Sequence, residues 1–143
     1  MAIKQLSVFL ENREGRLEEV LAILKEQGIN IISLSLADTS DYGMLRLLVN
    51  NPEKGRAALK ENGFSATLND VVAVKMAHKA GALQGALHTL CQAGINVEYM
   101  YALCTKTDEA AIVIKPSELA GAEKALRDAG ADFFEEGDIK EYN

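Results

Sequence analysis

Apolar and polar positions alternate from Gln5 to Leu10, with Leu6, Val8 and Leu10 on one side and Gln5, Ser7 and Phe9 on the other, which predicts a strand with one strongly buried face. After Asn12-Arg13-Glu14-Gly15, the apolar positions change spacing. Leu17, Val20, Leu21 and Leu24 fall at i, i+3, i+4 and i+7, the stripe of a helix laid on a sheet, and Gly28 supplies its stop. Ile32, Leu34 and Leu36 then alternate with Ser33 and Ser35, and a polar turn, 38–43, leads to a strand from Met44 to Val49, so this pair reads as a hairpin. Asn51-Pro52 is an N-cap followed by a first-turn proline, Ala58 and Leu59 point inward, Gly63 closes a second helix, and Phe64 to Leu68 form a short fourth strand.

The same order then returns. Gly28-Ile29-Asn30-Ile31 reappears as Gly94-Ile95-Asn96-Val97 and Gly15-x-Leu17 as Gly81-x-Leu83, each 66 positions on. The second copy predicts a strand from Val71 to Ala77, a helix from Gly81 with Leu83, Ala86, Leu87 and Leu90 inward, and a strand from Val97 to Leu103. A strand from Ala110 to Ile114, a helix from Ser117 to Ala129 and a last strand near Phe133 complete it. Beyond the turn at 105–108 the offset becomes 67 (Leu59 to Leu126, Gly63 to Gly130), so that turn holds one inserted residue, where extra length costs little.

Each copy is β-α-β-β-α-β, an α+β arrangement in which right-handed crossovers place both helices on one face of an antiparallel, ferredoxin-like sheet and leave the other face bare. The units divide at Asn69-Asp70, as 1–69 and 70–143, without a Gly, Ser or Pro-rich linker. With 143 residues, each unit is near the lower limit for a self-supporting core, so tight docking or a homodimer is expected.

Charge narrows the partners. The halves carry 8 basic and 10 acidic residues (1–70) and 7 and 11 (71–143), so neither offers the basic excess that nucleic acid needs. No apolar run approaches membrane-spanning length and no secretory leader is visible, so a cytoplasmic chain without a membrane partner is expected. Cys91 and Cys104 lack metal or redox spacing and read as buried or semi-buried fillers; no cofactor or metal is expected. Tyr99 and Tyr101 fall on the face without helices.

Glu11-Asn12-Arg13-Glu14-Gly15-Arg16-Leu17, a helix, then Gln27-Gly28-Ile29-Asn30-Ile31 resembles the ACT domain, the amino-acid-sensing module attached to many enzymes of amino-acid metabolism, and most of all the regulatory end of phosphoglycerate dehydrogenase. Ala77-His78-Lys79-Ala80-Gly81-Ala82-Leu83 with Ala93-Gly94-Ile95-Asn96-Val97 is a looser second copy. Where that family commonly places a proline before the loop glycine, this chain has Glu14 and Ala80. The resemblance implies tandem ACT domains that bind a free amino acid without catalysis, with ligand residues Asn12, Arg13, Gly15, Leu17, Asn30 and Ile31 in one copy and His78, Lys79, Gly81, Leu83, Asn96 and Val97 in the other. It further implies that Asn12 pairs with Asn96, and His78 with Asn30, across neighbouring domains.

The physical chemistry of the corner is compatible with that use. A helix N-terminus presents unpaired N–H groups to an α-carboxylate, Arg13 or Lys79 adds charge, and an Asn amide both donates and accepts. Other roles stay open: Asn30 and Asn96 suit corners with φ > 0, Gly15 and Gly81 suit turn geometry, and His78 and the basic residues suit solvated loops. Among other functions, a small regulatory subunit of a biosynthetic enzyme such as acetolactate synthase differs only in having an obligate partner. An acylphosphatase on the same scaffold would use Arg13 and Asn12, but the glycine-rich phosphate loop of that family is missing. A metal carrier would show Cys-x-x-Cys and an RNA binder aromatic-basic strands, and neither is present.

Overall fold

The computed structural model describes residues 2–38, 41–77, 79–103 and 110–141. The chain divides into two compact units, one built on Lys4–Asn69 with the residues from Ile139 on, the other on Asp70–Asp138 with the first three residues. The first unit contains β1 (Ile3–Glu11), α1 (Arg16–Glu26), β2 (Ile31–Asp38), β3 (Tyr42–Val49), α2 (Pro52–Glu61) and the start of β4 (Ser65–Met76). Its strands lie in the order β2-β3-β1-β4. β3 runs antiparallel to both β1 and β2, with Leu6 opposite Leu47 and Val8 opposite Leu45.

The helix-facing residues of these strands form the core. Leu6, Val8, Leu10, Leu45, Leu47 and Val49 meet Val20 and Leu24 of α1, Leu59 of α2, and Phe64. No residue of β2 belongs to this cluster. Leu34 and Leu36, which alternate with Ser33 and Ser35, are 45% and 47% exposed on β2, the strand at the end of the order. A register shift between Ile31 and Ser33 sets Ile32 apart from that row, and Ile32 is buried.

The second unit repeats the plan with the end of β4, α3 (Ala82–Gln92), β5 (Val97–Leu103), β6 (Ala110–Pro116), α4 (Leu119–Asp128) and β7 (Asp132–Phe133). Its strand order is β7-β4-β6-β5, and all the pairs are antiparallel. Val72, Val74, Leu90, Ile114, Ala122 and Leu126 make the core. β5 carries a register shift between Val97 and Tyr99, at the position where β2 carries its own. The bulge is thus part of the repeated design.

Several expectations change. The strands expected at Phe64–Leu68 and Val71–Ala77 are one strand, β4, because Asn69-Asp70 contains neither Gly nor Pro to break the ladder. A short helix, α5 (Glu136–Lys140), follows β7 and buries Ile139. The face away from the helices is not bare, since Gln5, Ser7, Val71, Ala73, Ala111 and Val113 are all buried. Gln5 and Ser7 tolerate this because Gln5 Nε2 donates to Ser7 Oγ at 3.0 Å and Ser7 Oγ donates to Asn69 Oδ1. Tyr99 and Tyr101 are half-buried. Cys91 is exposed, one residue past the buried Leu90 and so turned outward on α3. Cys104 and the 105–108 turn lie outside the described residues.

Candidate functional site

In each unit, one turn and one corner bracket the first helix. In the first unit Gly15 holds φ +84° as the N-cap of α1, a left-handed conformation that L side chains avoid, and a Cβ there would meet nothing within 4 Å. Gly81 does the same for α3 at φ +85°, again in open space. Since glycine has no side chain, neither helix start receives a side-chain cap, whereas α2 is capped by Asn51 Oδ1 (3.2 Å from Lys54 N) and α4 by Glu118 Oε2 (2.7 Å from Gly121 N). The first helix of each unit therefore keeps first-turn N–H groups available to an anion.

The corners at the other end of those helices are clasped alike. Asn30 N–H donates to Asn50 Oδ1 at 3.0 Å, and Asn50 N–H returns a bond to the Asn30 carbonyl at 3.2 Å. Asn96 N–H donates to Ser117 Oγ at 3.0 Å, and Ser117 N–H to the Asn96 carbonyl at 2.8 Å. Neither Asn sits at positive φ; Gly28 and Gly94 take that role at +68° and +73°. The corner thus holds Asn through its backbone and does not need it for left-handed geometry. Ile31 and Val97 begin the strands that follow, 37% exposed and half-buried respectively.

Electrostatically the two turns differ. Around Gly15 the cations are already paired: Arg13 Nε to Glu11 at 2.9 Å and Arg16 to Glu19 at 2.8 Å, with Glu18 also in the first turn. The Asn12 N–H donates to the Asp41 carbonyl at 2.9 Å, which fixes the loop. Around Gly81 the first turn of α3 has no acidic residue, and among the described residues Lys79 makes no ion pair. His78 lies outside the described residues. Leu17 and Leu83 are half-buried beneath their helices, with Leu17 packed on the first core.

Only the second turn borders cavities among those described. An open groove of about 480 Å³ runs from Lys79 along α3, past Ala82, Gly85 and Thr89, to Ala131. A second hollow of about 420 Å³ flanks the same turn, between Lys79, Leu83 and Ile112. Among the described residues, no group of three His, Cys, Asp or Glu side chains is placed to hold a metal, and no helix is long and apolar enough to cross a membrane.

The sequence matches the family described as the ACT domain pair over residues 1–142. The chain belongs to the ACT domain pair family. Its two ACT units match a crystallised protein of Bacteroides thetaiotaomicron at 37% identity and TM-score 0.91, over 98% of this chain and 96% of that one. The regulatory subunits of aspartate kinase from Thermus thermophilus and Thermus flavus share the fold, at 18% and 19% identity, TM-scores 0.64 and 0.61, and 89% coverage of this chain, over 90% and 92% of theirs. No curated protein matches the sequence.

Within each ACT unit the structure brings the described loop residues to the start of the first helix and the Gly-Ile-Asn residues to the corner after it. Of the residues singled out in the sequence, Lys79 and Gly81 line the groove and Leu83 lines the second hollow, while Ala82, Gly85, Thr89 and Ala131, which also line the groove, are not among them. The signal was available in the comparison of the copies, where these small residues replace Arg16, Glu19, Ile23 and Phe64.

Proposed function

We propose that this chain is a stand-alone regulatory protein that binds a free amino acid at the turns and corners of its two ACT domains, 1–69 and 70–143, and reports amino-acid supply to a partner without chemistry of its own. The observation that carries this is the duplicated pair of features around the first helix: an N-terminus started by a left-handed glycine in open space, and a clasped Asn corner at the other end. An α-carboxylate suits the free N–H groups, and the Asn amides suit the ammonium and side chain. The pairing of Asn12 with Asn96, and of His78 with Asn30, across neighbouring ACT domains is part of the proposal. So is the homodimer, which β2 supports as an edge strand with no charge from Ile31 to Ala37 and with Leu34 and Leu36 exposed.

The loop likeness to the regulatory end of phosphoglycerate dehydrogenase favours the same use. A second reading, a regulatory subunit docked on a biosynthetic enzyme such as acetolactate synthase, takes support from the Thermus relatives, which are named regulatory subunits. Copurification with an enzyme separates the two. The binding itself is tested by a thermal-shift scan over the common amino acids, since a ligand at 100 times its Kd stabilises by about 2.7 kcal/mol. A rise in Tm with one or a few of them is expected. No rise with any of them at millimolar concentration contradicts the reading.

A further inference from the structure

The groove in the second ACT unit is a place where the first unit is filled. At the start of α1, Arg16 lays its guanidinium 4.4 Å over the Phe64 ring and bonds Glu19 at 2.8 Å. The repeat carries these three positions onto Ala82, Ala131 and Gly85, and carries Ile23 and Asn62 onto Thr89 and Ala129. Five larger side chains are thus cut back around one spot. Aromatic bulk returns two residues later at Phe133, beneath Arg127 at 5.5 Å, where the first unit has Ala66. What remains open is the groove of about 480 Å³, with an apolar floor of Val74, Met76 and Leu126.

The lining also selects by charge. No carboxylate lines the groove, whereas two lysines do, Lys75 on β4 and Lys79, which is unpaired among the described residues and belongs to the turn before α3. A volume in this range accommodates a small organic molecule. The Thr89 hydroxyl already donates to the Gly85 carbonyl at 3.1 Å, so the wall presents little polar demand to a ligand's body.

We propose that this groove is the side-chain pocket of the amino-acid site, that it exists in the second ACT unit only, and that it takes an amino acid with an apolar side chain. The inference rests on the amino-acid reading given above and adds the ligand class and the stoichiometry. The carboxylate lies toward Lys79 and the side chain runs along Ala82, Gly85 and Ala131. Each methylene buried there tightens binding about fourfold. Leucine therefore binds at this turn more than tenfold tighter than alanine or serine, and because the turn before α1 has no such pocket, one molecule per chain binds with this preference.

The test is calorimetric titration of the full chain with L-leucine, L-serine and L-aspartate, for the wild type, Gly85→Leu and Ala131→Phe. A Cβ at Gly85 meets nothing within 4 Å, so Gly85→Leu fills the groove without a backbone clash and carries the test even if Ala131→Phe fails to fold. Expected are a preference for leucine, one site per chain, and at least tenfold weaker leucine binding in each folded variant. Serine or aspartate binding that equals or exceeds leucine binding and survives Gly85→Leu overturns the groove assignment and leaves amino-acid sensing standing. Leucine binding unchanged by Gly85→Leu overturns the assignment in the same way. No binding of leucine, serine or aspartate overturns the groove assignment, and no rise in Tm with any of the common amino acids overturns the amino-acid reading as well.

Discussion

Asn96 and Ser117 exchange two hydrogen bonds, one through the Ser117 hydroxyl at 3.0 Å and one through its backbone N–H at 2.8 Å. In the first unit Asn50 performs the task of Ser117, its Oδ1 accepting from Asn30 N–H at 3.0 Å. Removing the accepting atom leaves a backbone N–H at the corner without its side-chain partner, so Ser117→Ala and Asn50→Ala should each cost about 1 kcal/mol in urea unfolding. Asn50→Ser should cost less than Asn50→Ala, because the second unit already closes the same corner with serine. Equal losses for the two Asn50 variants would contradict the account.

The glycines of the turns and of the helix should answer differently to alanine. Gly15 and Gly81 sit at φ +84° and +85°, so alanine there costs about 1–2 kcal/mol from backbone strain although space is free. Gly85 lies inside α3, also in open space, and Gly85→Ala should stabilise by about 0.5–1 kcal/mol through helix propensity. The opposite signs within one short segment are readable from thermal unfolding of Gly81→Ala and Gly85→Ala.

Ser7 links two other polar groups in a buried setting, accepting from Gln5 and donating to Asn69. Ser7→Ala removes both contacts at once and should destabilise by about 1–3 kcal/mol, measured by denaturant unfolding. The second unit has Val71 and Ala73 where the first has Gln5 and Ser7, and both are fully buried. Gln5→Val combined with Ser7→Ala should therefore cost less than the two single losses added together, the coupling expected of directly bonded neighbours.

Of the cations at the two turns, Lys79 is expected to matter to an amino-acid ligand and Arg13 is not. Arg13 is held by Glu11 on an exposed surface, while Lys79 borders both hollows. Lys79→Ala should weaken amino-acid binding about two- to fivefold, the effect of one exposed charge near a helix N-terminus. Arg13→Ala should leave it unchanged. Titration of both variants with the ligand found in the scan decides the matter.

Much of the fold is legible from spacing because the duplication states each element twice. The α1 stripe, the Asn51-Pro52 helix start and the glycine stops at 28, 63, 94 and 130 all stand where periodicity and capping place them. What spacing does not reveal is which strand ends a sheet. Leu34 and Leu36 alternate like core residues yet lie beyond the helices, since alternation reports a face and not whether anything covers it. β4 is hidden because Asn69-Asp70 interrupts the apolar alternation between two short runs, and α5 because Glu136–Lys140 is too short to show a period. The loops of the candidate site were visible as a motif. The groove was not, because a cavity is made by residues that are small, and Ala82, Gly85 and Ala131 signal nothing until set beside Arg16, Glu19 and Phe64.

The most direct measurement is backbone amide NMR of the isotope-labelled chain during titration with the amino acid that raises Tm most. Saturable shifts concentrated at Gly81, Ala82 and Leu83, at Asn30 and Ile31, and along α3 to Thr89 are predicted. Shifts scattered over the surface, or confined to residues remote from both turns and both corners, would contradict it.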